Sequence, residues 1–109
     1  MLNSSDILRG YTDTIILAQL EGGDSYGYLI SKTVQEATAG EVQLKEATLY
    51  TTFRRLEAAG VIASYWGSEE VGARRRYYHL TEAGRALLCE NRAQWQRYRD
   101  MISALICAR

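Results

Sequence analysis

Six basic side chains stand between residues 45 and 76, and their neighbours say what chemistry they could serve. Lys45, Arg54 and Arg55 are interleaved with Ala47, Thr48, Tyr50 and Thr51, and the triplet Arg74-Arg75-Arg76 follows further on. Cations of this kind neutralise phosphates, while small methyl- and hydroxyl-bearing side chains reach base edges. Ala47, Thr48 and Thr51 therefore read as base readers, Arg54, Arg55 and Lys45 as phosphate contacts. A solvated helix face is the plainer alternative. Strand alternation would send Arg74 and Arg76 one way and Arg75 the other, so at most two can face one groove. Three cations in a row can also simply blunt a strand edge.

A second group surrounds Trp95. Arg92 and Arg99 stand three and four residues away, where they could bound a flat aromatic slot, as could Ile7, Asp13 and Thr14 if the first helix packs there. An ordinary interface anchor is the competing role for such a tryptophan.

Other chemistry finds little support. One histidine, His79, and two cysteines, Cys89 and Cys107, do not make up a transition-metal site within one chain. His79 reads as a wing-face or core residue. Glu69-Glu70 lacks the partners for acid/base work, no phosphate loop follows a strand, and no Ser/His/Asp set stands out. No enzyme, cofactor or metal is expected. The cysteines fall in one predicted helix ~27 Å apart, too far for a disulfide. Free thiols, no secretory start and no long apolar run point to the cytoplasm and away from the membrane.

The elements that must position these residues follow from periodicity and stop signals. A first helix is expected over about residues 6–20, capped by Ser4-Ser5, with Ile7, Leu8, Tyr11, Ile15 and Leu17 on its apolar side and Gly22-Gly23 ending it. Asp24 or Ser25 can cap a second helix carrying Tyr26, Leu29, Ile30, Val34 and Ala37, with Gly40 as its stop. Residues 38–44 connect, and 41–44 alternate as a short extended piece would. The third helix runs from about 46 to 59. Leu49, Phe53 and Leu56 cluster within about 60° of its wheel, opposite Ala47, Thr51, Arg54, Arg55 and Ala58, with Tyr50 on the flank. After Gly60 the period turns strand-like over 61–66 and 75–80, a hairpin with a long tip and Gly72 in its turn. Thr81 caps a final helix over about 82–107.

That last helix carries a heptad seam. Leu88, Asn91, Trp95, Tyr98, Ile102 and Leu105 fall at spacings alternating three and four, which predicts lengthwise packing on a second subunit. The chain is short, 109 residues, and a small core gains from partner burial.

Helix, helix, helix, hairpin, long helix is the order of a winged helix-turn-helix, mostly α with a small β-hairpin: residues 1–80 as DNA-binding domain and 81–109 as dimerisation helix, in one continuous unit. The residues sharpen this. Glu46-Ala47-Thr48-Leu49-Tyr50 leading to Arg55-Leu56-Glu57-Ala58-Ala59-Gly60-Val61-Ile62, then Trp66-Gly67, Gly72 and Arg74 through Gly84, strongly resembles the PadR family of transcriptional regulators; Tyr26-Gly27-Tyr28 resembles its second signature. The likeness covers about residues 5–107 and looks closest, from Gly40 to Tyr78, to the compact branch of LmrR-like multidrug-binding repressors. It implies a homodimeric repressor on a double-stranded operator, paired C-terminal helices, the Tyr50 hydroxyl on a phosphate, and planar aromatic small molecules as effectors.

Charge adds a boundary condition. Thirteen Lys and Arg balance thirteen Asp and Glu, so coating nucleic acid by bulk charge is excluded. Residues 1–44 hold two cations and six anions, residues 45–79 six and four, and residues 80–109 five and three. An acidic front is offset by a mildly basic reading head and tail, and dimerisation must double the few phosphate contacts. Glu69 and Glu70 would turn the hairpin tip away from DNA. A winged-helix protein–protein module without DNA binding, or a regulator without an effector, are the alternative readings.

Overall fold

The computed structural model describes residues 8–68, 72 and 74–107. Ser4, Ser5, Ile7, Glu69 and Glu70 lie outside them. Four α-helices and a three-stranded antiparallel sheet make up the described chain: α1 (Thr12–Gln19), β1 (Ser25–Tyr26), α2 (Gly27–Ala37), α3 (Glu46–Ala58), β2 (Ile62–Trp66), β3 (Arg76–Leu80) and α4 (Glu82–Ile106). The winged-helix architecture expected from the sequence is present.

α1 is shorter than expected and enters through a 3-10 turn, Arg9–Tyr11. Its core residues are Ile16 and Leu17, followed by Leu20, whereas Tyr11 and Ile15 are only half-buried. The expected stripe assumes one buried face. α1 in fact lies between the core and α4, so it presents apolar residues to both sides.

The second helix starts later than its expected caps. Ser25 is buried in β1, which pairs Ser25 with Tyr78 and Tyr26 with Tyr77 of β3, giving the strand order β1-β3-β2. Asp24 does not cap α2. Its carboxylate accepts from the Tyr65 hydroxyl at 2.5 Å and lies 2.8 Å from His79 Nδ1. Residues 41–44 form no strand. Val42 is buried, and its N–H donates to the Thr38 hydroxyl at 3.0 Å, so a side-chain bond replaces the ladder.

Leu49, Thr52, Phe53 and Leu56 line the buried side of α3. The Phe53 ring stacks on Tyr78 of β3 with centroids 3.9 Å apart, fixing helix against sheet. Gly60 ends the α3 turn with a φ of +76°, a conformation that favours glycine. The hairpin register runs from Ile62 opposite Leu80 to Trp66 opposite Arg76.

Thr81 caps α4 as expected, its hydroxyl accepting from the Gly84 N–H at 3.0 Å and donating to the Gly60 carbonyl at 2.8 Å. Gly84 permits that junction: a Cβ there would stand 2.0 Å from the Val61 carbonyl oxygen. Only Gly84 and Leu88 of α4 are buried, so most of its 25 residues run beyond the core.

Candidate nucleic-acid interface

Burying Leu49, Phe53 and Leu56 turns the opposite side of α3 outward. Lys45, Ala47, Thr48, Tyr50, Thr51, Arg54 and Arg55 are all exposed there. Thr52 would otherwise bury a hydroxyl, which donates instead to the Thr48 carbonyl at 2.8 Å. Tyr50 sets its ring edge-on to Phe53, and its hydroxyl would be 3.2 Å from a Cβ on Gly27. The tyrosine thus spans from α3 to the start of α2. Arg54 sits beside Thr51, with Nη2 3.5 Å from its hydroxyl oxygen. Arg55 departs from this group and forms an ion pair with Asp13 of α1.

The wing arginines separate as strand alternation requires. Arg74 and Arg76 place their guanidiniums 5.6 and 5.4 Å from the centroid of the Trp66 ring. Arg75 goes to the other side, 4.8 Å from the Tyr26 ring. That side carries a row of tyrosines across the sheet, Tyr26, Tyr77 and Tyr65, with centroids 5.5 and 5.6 Å apart. His79 and Asp24 flank the row, and their side chains are exposed or partly so. The Tyr65 hydrogen bond, then His79, lower the Asp24 carboxyl pKa, and Asp24 in turn raises that of Tyr65.

A separate cavity of about 400 Å³ lies between α1 and α4. Thr14, Arg92 and Trp95, expected together, all line it. Asp13 does not, because its carboxylate turns to Arg55. Arg99 sits over Trp95 at 5.0 Å and lines an adjoining cavity of about 320 Å³ with Tyr11 and Ile102. Arg92 is held by Glu21 through contacts of 2.8 and 3.2 Å, and this bond lowers the Glu21 carboxyl pKa.

The heptad residues divide along α4. Leu88 is buried in the chain's own core, and the Asn91 amide donates to the Thr14 hydroxyl at 3.1 Å. Trp95, Tyr98, Ile102 and Leu105 remain exposed, as do Met101 and Ile106. Cys89 and Cys107 are free thiols. Among the described residues no three His, Cys, Asp or Glu side chains converge, and no helix is long and apolar enough to cross a membrane.

Residues 16–90, from α1 into α4, match the sequence profile of the Transcriptional regulator PadR-like family. The chain belongs to that family. A transcriptional regulator from Clostridium thermocellum is similar at 43% identity and a TM-score of 0.85, with 94% of this chain and 99% of the other covered. A PadR family transcription regulator from Clostridium difficile gives 36% identity and a TM-score of 0.79 over 89% and 99%. An uncharacterised protein from Lysinibacillus sphaericus is 43% identical over 90% of both chains. The two clostridial relatives are transcriptional regulators.

Sequence reasoning missed part of this PadR-like domain's cavity wall. Tyr11, Ile15 and Ala18 line it, together with Leu8 and Gln96. The four- and three-residue spacing of Tyr11, Ile15 and Ala18 marks one face running from the 3-10 turn into α1, and that was the available signal.

Proposed function

We propose that this PadR-like regulator is a homodimeric, cytoplasmic repressor of the compact, multidrug-binding LmrR-like kind. Residues 1–80 read an operator and residues 81–109 pair with a second copy. Each α3 enters one of two successive major grooves about 34 Å apart on a pseudo-palindromic site. Ala47, Thr48 and Thr51 approach base edges, while Lys45, Tyr50 and Arg54 meet phosphates. The β2–β3 wing brings arginines to the adjoining backbone. A planar aromatic molecule entering the α1/α4 cavity beside Trp95 releases the operator.

The observation that carries the reading is the exposed side of α3, where Thr48, Tyr50 and Thr51 are followed one turn on by Arg54 while the other side is sealed on the core. Trp95, Thr14 and Arg92 around one cavity support the effector, and the exposed apolar stretch from Trp95 to Ile106 supports the dimer.

Mobility shifts with DNA from upstream of its own gene, over a salt series, test the proposal. A sequence-specific complex that weakens steeply with salt and is lost on adding planar dyes is expected. Thr51→Ala should shift sequence preference. Absence of any specific complex, with or without dye, overturns it.

A further inference from the structure

Trp66 closes β2 and is 53% exposed, and neither the core nor the cavity beside Trp95 uses it. Two guanidiniums lie within 6 Å of its ring centroid, those of Arg74 and Arg76. Their situations differ. Arg76 Nη2 donates to the Ser64 hydroxyl at 2.8 Å, Ser64 donates to Glu57 Oε2 at 2.6 Å, and Arg76 itself is 3.8 Å from that carboxylate. Glu57 belongs to α3, so this chain of contacts fastens the wing to the recognition helix and balances the charge of Arg76. Arg74, among the described residues, has the indole and no carboxylate.

A guanidinium lying over an aromatic ring keeps its N–H edge available for an anion. It also has less rotamer freedom to lose when it grips a phosphate than an arginine free on a hairpin edge. Resting on the DNA-binding reading above, we infer that Trp66 is a positioning residue. Held to α3 through Arg76, Ser64 and Glu57, its ring presents Arg74 to a backbone phosphate beside the recognition helix. Arg76 anchors, Arg74 binds, and Arg75 belongs to the opposite side of the sheet.

The test is a double-mutant cycle on operator affinity with the full-length protein. Trp66→Ala and Arg74→Ala should each weaken binding about threefold to tenfold, and each should lower the slope of log affinity against log salt by about 1 per wing contact. The double variant should be no weaker than the stronger single one, and Trp66→Phe should restore affinity and slope. Multiplicative losses, or a Trp66→Ala variant that keeps the full slope, overturn the assignment while leaving DNA binding intact. A wild-type protein that forms no specific complex overturns the DNA-binding reading and this role with it. Should Trp66→Ala not fold, the free wild-type protein suffices: the Arg74 δ-CH2 resonances should be shifted upfield by the indole ring current, and random-coil positions overturn the assignment.

Discussion

Asp13 of α1 holds the Arg55 guanidinium of α3, joining residues 42 positions apart in the sequence. The next residue, Thr14, accepts from Asn91 of α4 and lines the cavity beside Trp95. A short polar path therefore runs from the reading helix through α1 to the cavity wall. Arg55 is exposed yet already engaged, which separates it from its neighbour Arg54.

Arg54→Ala should weaken binding on all DNA sequences and reduce the salt slope by about 1 per contact. Arg55→Ala should change the slope less, and Asp13→Asn, which releases Arg55, should steepen it. Salt-series titrations of the three variants check this. Equal slopes for Arg54→Ala and Arg55→Ala would mean that the ion pair opens on DNA.

The stretch of α4 beyond Asn91 leaves Ile102 and Leu105 in solvent. On the proposed homodimer, Ile102→Glu should leave a monomer in sedimentation experiments where wild type sediments as a dimer, and cost operator affinity at least tenfold, since each half-site then binds alone. Its circular dichroism at room temperature should stay that of the folded wild type, because Ile102 makes no part of the winged core.

Planar aromatic dyes should quench the Trp95 fluorescence of a Trp66→Phe protein. Filling the cavity with Ala18→Leu, or removing its indole wall with Trp95→Ala, should lower dye affinity by roughly tenfold or more, consistent with about 1.4 kcal/mol per decade. Calorimetric or fluorescence titration reads the difference, and unchanged affinity in both variants would place the dye elsewhere.

Gly84→Ala tests the α4 junction. Its Cβ would approach the Val61 carbonyl oxygen to 2.0 Å and Leu80 Cδ1 to 2.6 Å, and backbone cannot yield as a side-chain end can. A loss of roughly 2–4 kcal/mol is expected, enough to lower Tm by more than about 8 °C in a domain this size. Thermal denaturation followed by circular dichroism measures it.

The Tyr65 hydroxyl, and after it His79, hold the Asp24 carboxyl pKa below its ordinary value. The unfolded chain therefore takes up that proton first as pH falls. The stabilisation is complete above the ordinary Asp value of about 3.9 and is lost as pH drops through the lower folded value. Asp24→Asn should melt a few degrees lower than wild type at neutral pH, with the gap narrowing below about pH 4. A gap that stays constant down to pH 3 would show that the network does not depend on the carboxylate charge.

Much of the fold was legible because the informative patterns are local. Leu49, Phe53 and Leu56 recur within consecutive turns, so α3 and its exposed side follow from a helical wheel. Thr81 before an apolar run marks the start of α4, and alternation alone separates Arg75 from Arg74 and Arg76. β1 was not legible. It is two residues long, and only the hydrogen-bonding groups of Tyr77 and Tyr78 make it a strand. Asp24 and Ser25 look like helix caps until that sheet forms and takes them for other partners.

The candidate site divides in the same way. Residue type and spacing assembled the outward face of α3 and proposed Trp95, Thr14 and Arg92 as neighbours; the tertiary structure paired Arg55 with Asp13, placed Leu88 in the chain's own core and added Tyr11, Ile15 and Ala18 to the cavity. The sequence by itself determined which face of each helix is apolar, because that depends on side chains one turn apart. The tertiary structure decided which element each face meets. Loop closure brings together groups far apart in the chain, and an exposed cation or a heptad leucine takes whichever partner the packed helices place within reach.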